Sequence, residues 1–142
     1  MDIFKSLQIS GSGMAAQRKW MDTIASNLAN ARATRTPEGG PYRRRDPVFQ
    51  AEPADDAGGI TVGPSARTGV KVVSIVVDAA PPNKVFEPGH PDADPDGNVA
   101  YPNVSLVEEM TNMITASRSY EANVQSFNAF KSMATRALDL FR

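Results

Sequence analysis

Apolar residues recur every seven positions at both ends of the chain. Toward the C-terminus Leu106, Met113, Tyr120, Phe127, Ala134 and Phe141 form one series, and Met110, Val124 and Leu138 fall four positions after members of it. Toward the N-terminus Leu7, Met14, Met21 and Leu28 keep the same period, with Ile24 and Ala31 three positions after the last two. A seven-residue apolar repeat makes a seam that is buried only against another helix. The pattern predicts helix from residue 2 to about 34 and again from Ser105 to Phe141. The fold class is therefore mainly α: long N- and C-terminal helices packed as a coiled-coil-like pair, with a small β-hairpin and loop region between them.

Details of each helix sharpen this picture. Ser105 with Glu108 fits a capping box. Glu108 and Glu109 in the first turn, and Arg136 and Arg142 near the end, suit the helix dipole. The C-terminal helix holds no proline or glycine and spans roughly 55 Å at about 1.5 Å per residue. That is too long for a compact globule unless it projects or lies beside an equally long partner. Asn123, Phe130 and Ala137 repeat at seven but are offset from the main stripe, which predicts a second face and a second neighbour. In the N-terminal helix Gly11-Ser12-Gly13 interrupts the stripe, each glycine costing roughly 1 kcal/mol relative to alanine. A kink is the expected consequence, in preference to a close approach by a neighbour. Trp20 stands beside the stripe, either anchoring a second helix contact or half-buried within the subunit.

The middle of the chain reads differently. Thr34 to Pro53 is punctuated by Pro37, Gly39, Gly40, Pro41, Pro47 and Pro53 and is expected as an extended, turn-rich loop. Strand signal is confined to residues 60–86: Ile60-Thr61-Val62, the run Val70 to Val77, and Lys84-Val85-Phe86 as a third strand. Within the long run Val70 and Val72 share one face while Val73, Ile75 and Val77 share the other. Either both faces are covered or a bulge lies near Val73. So small a sheet must pack on the helices to be stable. Residues 87–103 read as loop. The domain expectation is one helical core made of 1–34 and 104–142, with 35–103 an extended loop plus a small β region.

Composition excludes several function classes. There are no cysteines, so disulfides, zinc–thiolate sites and thiol nucleophiles are ruled out. No run approaches the eighteen or so apolar residues of a membrane span, and the first residues do not form a secretory signal. Charge is unevenly placed: residues 1–45 carry +5, residues 46–103 carry −6 and the remainder is neutral. Opposed patches suit head-to-tail contact between copies.

Candidate chemistry is thin. Arg43-Arg44-Arg45 could meet phosphate, but no aromatic stacking platform accompanies it, so a basic loop meeting acidic neighbours is the expectation and nucleic acid is not. Asp92-Ala93-Asp94-Pro95-Asp96-Gly97 opens like a calcium loop, yet the twelfth position is Asn103 and Pro95 stiffens it; a solvated acidic turn is expected. His90, the single histidine, lacks partners for a triad or a metal site and reads as a turn residue. No nucleophile–base pair or metal cluster can be assembled, so the chain is expected not to be an enzyme and to need no cofactor or small-molecule substrate.

At Asn27-Leu28-Ala29-Asn30 and Thr34-Arg35-Thr36-Pro37-Glu38-Gly39-Gly40-Pro41-Tyr42-Arg43-Arg44 the chain resembles the bacterial flagellar axial proteins, in particular the C-type proximal rod proteins of the basal body. The likeness continues through Gly89 to Asp94, Val99 to Val104, Val107-Glu108-Glu109-Met110 and Ser117 to Asn123, in order and over nearly the whole length. Pro47, just before Val48-Phe49, is the one departure. The resemblance implies a structural subunit whose terminal helices join a hollow helical rod that crosses the periplasm and passes torque from rotor to hook. It implies export through the flagellar type III apparatus without a cleaved signal. Its implied partners are copies of itself, other proximal rod proteins, the rod–ring adaptor and the distal rod proteins.

On that basis the expected subunit interface comprises Leu7, Met14, Met21, Ile24, Asn27, Leu28 and Asn30 in the first helix. In the second it comprises Leu106, Met110, Met113, Tyr120, Val124, Phe127, Leu138 and Phe141. Pro37, Gly39, Gly40, Pro41, Tyr42, Arg43 and Arg44 form an inter-subunit loop. The alternative is a cytoplasmic helical-hairpin adaptor or secretion-associated regulator, which would share the heptads but remain inside the cell.

Overall fold

A computed structural model describes residues 3–52 and 69–139. The chain order is α1 (Ile3–Ala29), β1 (Arg45–Glu52), β2 (Gly69–Val77), β3 (Asn83–Phe86), β4 (Asn98–Tyr101) and α2 (Leu106–Asp139). Two long terminal helices thus enclose a small β region. α1 is the hub, packing along α2 and against β1 and β2.

Two contacts fix how the helices lie. A Cβ on Gly13 would sit 2.9 Å from Asn123 Nδ2, and Asn27 Nδ2 lies 3.1 Å from Glu109 Oε2. Between these points α1 advances fourteen residues while α2 retreats fourteen, so the pair is antiparallel with matching heptads. By the same alignment residue 29, the end of α1, lies opposite residue 107. Residue 3 lies opposite 133, so the end of α2 runs past the described start of α1.

This alignment corrects the expected seam. The inner face of α2 carries Glu109, Ala116, Asn123 and Phe130, flanked by Met113, Tyr120 and Phe127; Glu109 and Ala116 are fully buried and the others half-buried. Asn123 and Phe130 thus belong to the inner face rather than to a separate one. Leu106, Met110 and Leu138 were expected in the seam but are 46%, 58% and 71% exposed. Leu106 lies beyond the end of α1 and Leu138 beyond its start, while Met110 points to the outer side of α2.

The Gly-Ser-Gly stretch does not break α1, which is helical throughout Ile3–Ala29. Gly13 admits the Asn123 side chain, the close approach that the kink reading had set aside. Ser12 Oγ donates to Ile9 O at 2.8 Å and accepts from Val70 N at 3.1 Å. Ser12 therefore ties β2 to the helix, and Gly69 fits there because a Cβ would lie 2.8 Å from that oxygen.

The proline-rich loop is shorter than expected. It turns into β1, which pairs antiparallel with β2 from Arg45↔Val77 to Glu52↔Gly69. Pro47 is tolerated because β1 is an edge strand and needs no amide donor on its open side. The register jumps between Val48 and Phe49 so that Val73 is left unpaired: of the two readings of this run, the bulge is the one observed. The strand expected at Ile60–Val62 lies outside the described residues. Residues 83–86 form β3 as expected, but its partner is β4, inside the segment read as loop. Gly97 turns between them at φ +78°, a conformation that costs a non-glycine residue. N-terminal helix, too, is shorter than expected, ending in turns after Ala29.

Candidate assembly site

At the end of α1, three segments converge on a buried polar cluster. Asn27 is fully buried and satisfies all four of its hydrogen-bonding positions. Its Nδ2 donates to Arg45 O at 2.9 Å and to Glu109 Oε2 at 3.1 Å. Its Oδ1 accepts from Tyr42 OH at 2.9 Å and from Arg45 N at 3.0 Å. Glu109 is equally buried, and Arg44 Nε donates to its Oε1 at 2.6 Å. The same guanidinium contacts Asp46 and lies 3.9 Å from Glu108 Oε1. Buried polar groups survive only when partnered, and each member here is.

The electrostatics follow from this crowding. Burial works against the Arg44 charge, but the hydrogen bond it donates to Glu109 and the nearby carboxylates outweigh it and hold its pKa above the usual value. For Asp46 burial is the largest influence and raises its pKa; Arg44 offsets part of that, and Glu109 and Asp78 add repulsion. The expectation that the arginine run meets acidic neighbours is met by Arg44. Arg45 instead lies over the Tyr42 ring at 5.6 Å.

The loop before the cluster is held by its own turns. Thr36 N donates to Gly40 O and Gly39 N to Thr36 O, with Gly39 and Gly40 at positive φ. Tyr42 N closes back to Ala33 O at 3.0 Å. Pro37, Gly39, Gly40 and Arg43 face solvent, while Pro41 and Arg44 are half-buried and Tyr42 is buried. A second tie joins this loop to the acidic turn: Thr34 Oγ1 donates to Asp92 Oδ2 at 2.8 Å. Asp94 Oδ1 accepts from Asp96 N and Asn98 N, so that carboxylate is spent on the turn itself. His90 sits in the turn as expected, its Nδ1 accepting from Asp92 N.

The remaining expected interface residues divide clearly. Ile24 is buried; Leu7, Met14, Met21 and Leu28 are half-buried, and Asn30, in the turn after α1, donates to Ser26 O at 2.8 Å. Val124 is half-buried and Phe141 lies outside the described residues. Trp20 is half-buried and meets Phe49 edge to face at 6.1 Å, packing β1 onto α1. On the outer side of α2 sequence reasoning named Met110 but missed Val107 and Ile114. There Val107 at 76%, Met110 at 58% and Ile114 at 55% exposure form an apolar stripe at helical spacing. Farther along, that side turns polar with Arg118, Glu121, Gln125 and Asn128. Among the described residues no helix is long and apolar enough to cross a membrane.

Comparison with known proteins decides the family. Residues 7–34 match the family described as flagella basal body rod protein, and residues 96–140 match the flagellar basal body rod FlgEFG protein C-terminal family. The flagellar basal-body rod protein FlgC of Salmonella typhimurium is 45% identical over 140 residues, covering 99% of this chain and 98% of the relative. The chain belongs to the flagellar basal-body rod protein FlgC family. Relatives of the same name from Borreliella burgdorferi, at 40% identity, and Bacillus subtilis, at 39%, are likewise covered over 99% of their length and match 100% and 99% of this chain. The chain is accordingly a structural subunit of the flagellar basal-body rod.

Proposed function

We propose that this rod subunit works mechanically, lending its helix pair to the wall of a hollow helical shaft that passes torque from rotor to hook. The observation that carries this reading is the apolar outer stripe of α2, Val107, Met110 and Ile114, together with the overhanging end that bears Leu138. Exposed apolar surface of this kind is stabilised by covering it. Heterologous contacts that do not close on themselves give a helix of subunits rather than a ring.

In this reading residues 1–34 and 104–142 form the wall and 35–103 decorate it. The inner row of Leu7, Met14, Met21, Ile24, Leu28, Met113, Tyr120, Val124 and Phe127 stiffens each subunit as a coiled-coil-like seam. Leu106, Met110, Leu138 and Phe141 meet neighbours. The loop of Pro37, Gly39, Gly40, Pro41 and Arg43 touches adjoining subunits. Neighbours are copies of this chain, other proximal rod proteins, the rod–ring adaptor and distal rod proteins, reached after export by the type III apparatus into the periplasm. No catalysis is involved.

Met110→Asp and Leu138→Asp test this reading. Both positions are exposed, so the subunit should fold and be exported, while isolated basal bodies should lack a completed rod. Complete rods in both variants would overturn the assignment of these faces to assembly. Phe127→Asp should also abolish assembly, but its half-buried position means it would disturb the helix pair as well.

A further inference from the structure

Heptad packing leaves one thing undetermined. Because apolar residues repeat every seven positions along both helices, sliding one helix by seven residues brings the stripes back into contact. Leu7, Met14, Met21 and Leu28 would simply meet the next members of the facing series. The slip displaces one helix by roughly 10 Å at about 1.5 Å per residue. It would move the outer stripe of α2 by that distance relative to the sheet, which is fixed on α1 through Ser12 and Trp20. In a helical assembly every neighbour would then be misplaced, so alignment matters more than stability.

Glu109 breaks the ambiguity. It stands on the inner row of α2 with Ala116, Asn123 and Phe130, where an apolar residue would serve packing better. We propose that Glu109, with Asn27 and Arg44, is the register lock of the helix pair, its buried carboxylate being satisfied only when the helices meet in one alignment and Arg44 is docked.

The geometry carries each part of this. Slipped by seven, Asn27 would face Ala116 or leave the helix end, and Glu109 would lose its amide donor. Arg44 cannot follow, because Arg45 beside it is pinned to Asn27 through both its backbone N–H and its C=O. The lock therefore joins two events: the helices align and the loop from Thr34 to Arg44 seats together. A buried polar residue in a largely apolar seam is a known means of choosing one register at some cost in stability. The inference rests on the helix pair being the assembling unit, but its primary readout is inside one subunit.

The test uses the absence of cysteine from the chain. Gly13→Cys with Asn123→Cys reports the observed alignment, since a Cβ on Gly13 already lies 3.2 Å from Asn123 Cγ. Gly13→Cys with Ala116→Cys or with Phe130→Cys reports a slip of seven in either direction. With the lock intact, the first pair should cross-link at least about tenfold more than either slipped pair, the ratio expected of a specified register. In the apolar triple variant Asn27→Leu, Arg44→Met, Glu109→Leu, helical circular dichroism should persist while that preference falls to about threefold or less. Basal bodies from the cysteine-free triple variant should lack completed rods. Retention of the tenfold preference in the triple variant overturns the proposal. Loss of helical structure in the triple variant overturns it too, because the cluster would then supply stability rather than alignment. Relaxed cross-linking with normal rods would keep the lock but sink the reading of the pair as the assembling unit.

Discussion

Replacing Asn27 by alanine isolates the energetic weight of the cluster. The side chain makes four hydrogen bonds, to Arg45 twice, Tyr42 and Glu109. Each net bond is worth about 1 kcal/mol, and a buried group left unpaired costs about 1–3 kcal/mol. Not all four penalties fall due. Tyr42 OH keeps a contact to Ser26 Oγ at 3.4 Å, Glu109 keeps Arg44, and Arg45 is exposed enough for water to serve its backbone. A loss of about 2–3 kcal/mol follows, which lowers the folded-to-unfolded ratio by about 30- to 150-fold at 1.4 kcal/mol per decade. Stability of about 0.05–0.15 kcal/mol per residue is typical, so this is a large share of the total. The assay is urea unfolding followed by fluorescence of Trp20, the single tryptophan, whose ring meets Phe49 across the α1–β1 contact. Asn27→Asp should lose more than Asn27→Ala, since its second oxygen would face Glu109 Oε2 where an N–H now donates. A midpoint shift worth less than about 1 kcal/mol for Asn27→Ala, or wild-type stability for Asn27→Asp, would refute the reasoning.

Other changes are expected to act in definite directions. Gly97→Ala should destabilise the β3–β4 hairpin by about 1–2 kcal/mol, because φ is +78° and the new Cβ would lie 2.8 Å from Phe86 Cε2; thermal unfolding measures it. Gln17→Met should stabilise by about 1 kcal/mol, since Gln17 Oε1 is buried without a hydrogen-bond partner among the described residues; an unchanged urea midpoint would contradict it. Asp46 titrates above its unfolded value, so its stabilising contribution is full below the unfolded pKa of 3.8 and is lost as pH rises through the folded value. Asp46→Asn should therefore flatten stability across that window without lowering it at pH 7, checked by urea midpoints from pH 3 to 7.

Much of this was legible in the residues, and what was not has physical reasons. The heptads marked both helices because a period of seven has no other common cause. The bulge was visible in Val70–Val77, where apolar residues change face at Val73. β1 was hidden because prolines at 41, 47 and 53 read as loop, and only an edge position makes Pro47 compatible with pairing. The seam was placed too far outward because Leu106, Met110 and Leu138 match the repeat as well as the inner residues do. Where α1 begins and ends, which decides whether they are covered, is not written in α2. Glu109 was read as a dipole residue of the first turn, a role any acidic side chain there can play. Its partners lie 82 and 65 positions away, and nothing local announces them. The Gly-Ser-Gly stretch was misjudged for a similar reason: one glycine admits a distant helix, and the serine holds a distant strand.

The distribution of burial explains why such a chain is built as it is. Fourteen large apolar residues are exposed among those described, while the buried apolar ones are Ala16, Ile24, Tyr42, Val99 and Ala116. An ordinary globule hides its large apolar side chains and wets its charges. Here the deepest side chains include Asn27 and Glu109, and the outside of α2 carries valine, methionine and isoleucine. Apolar contact is strong but indifferent to direction; hydrogen bonding is modest in net energy but demands one geometry. A subunit that must present the same surface to every neighbour in a shaft uses each where it is suited. In the proposed assembly directional polar contacts settle the shape of the single molecule, and the undirected attraction is left outside for neighbours to cover. Raising salt should therefore loosen isolated subunits' exposed ion pairs while leaving assembled rods intact, because screening weakens charges but not apolar burial. Rods that dissociate in molar salt would place the binding energy in the charged patches instead.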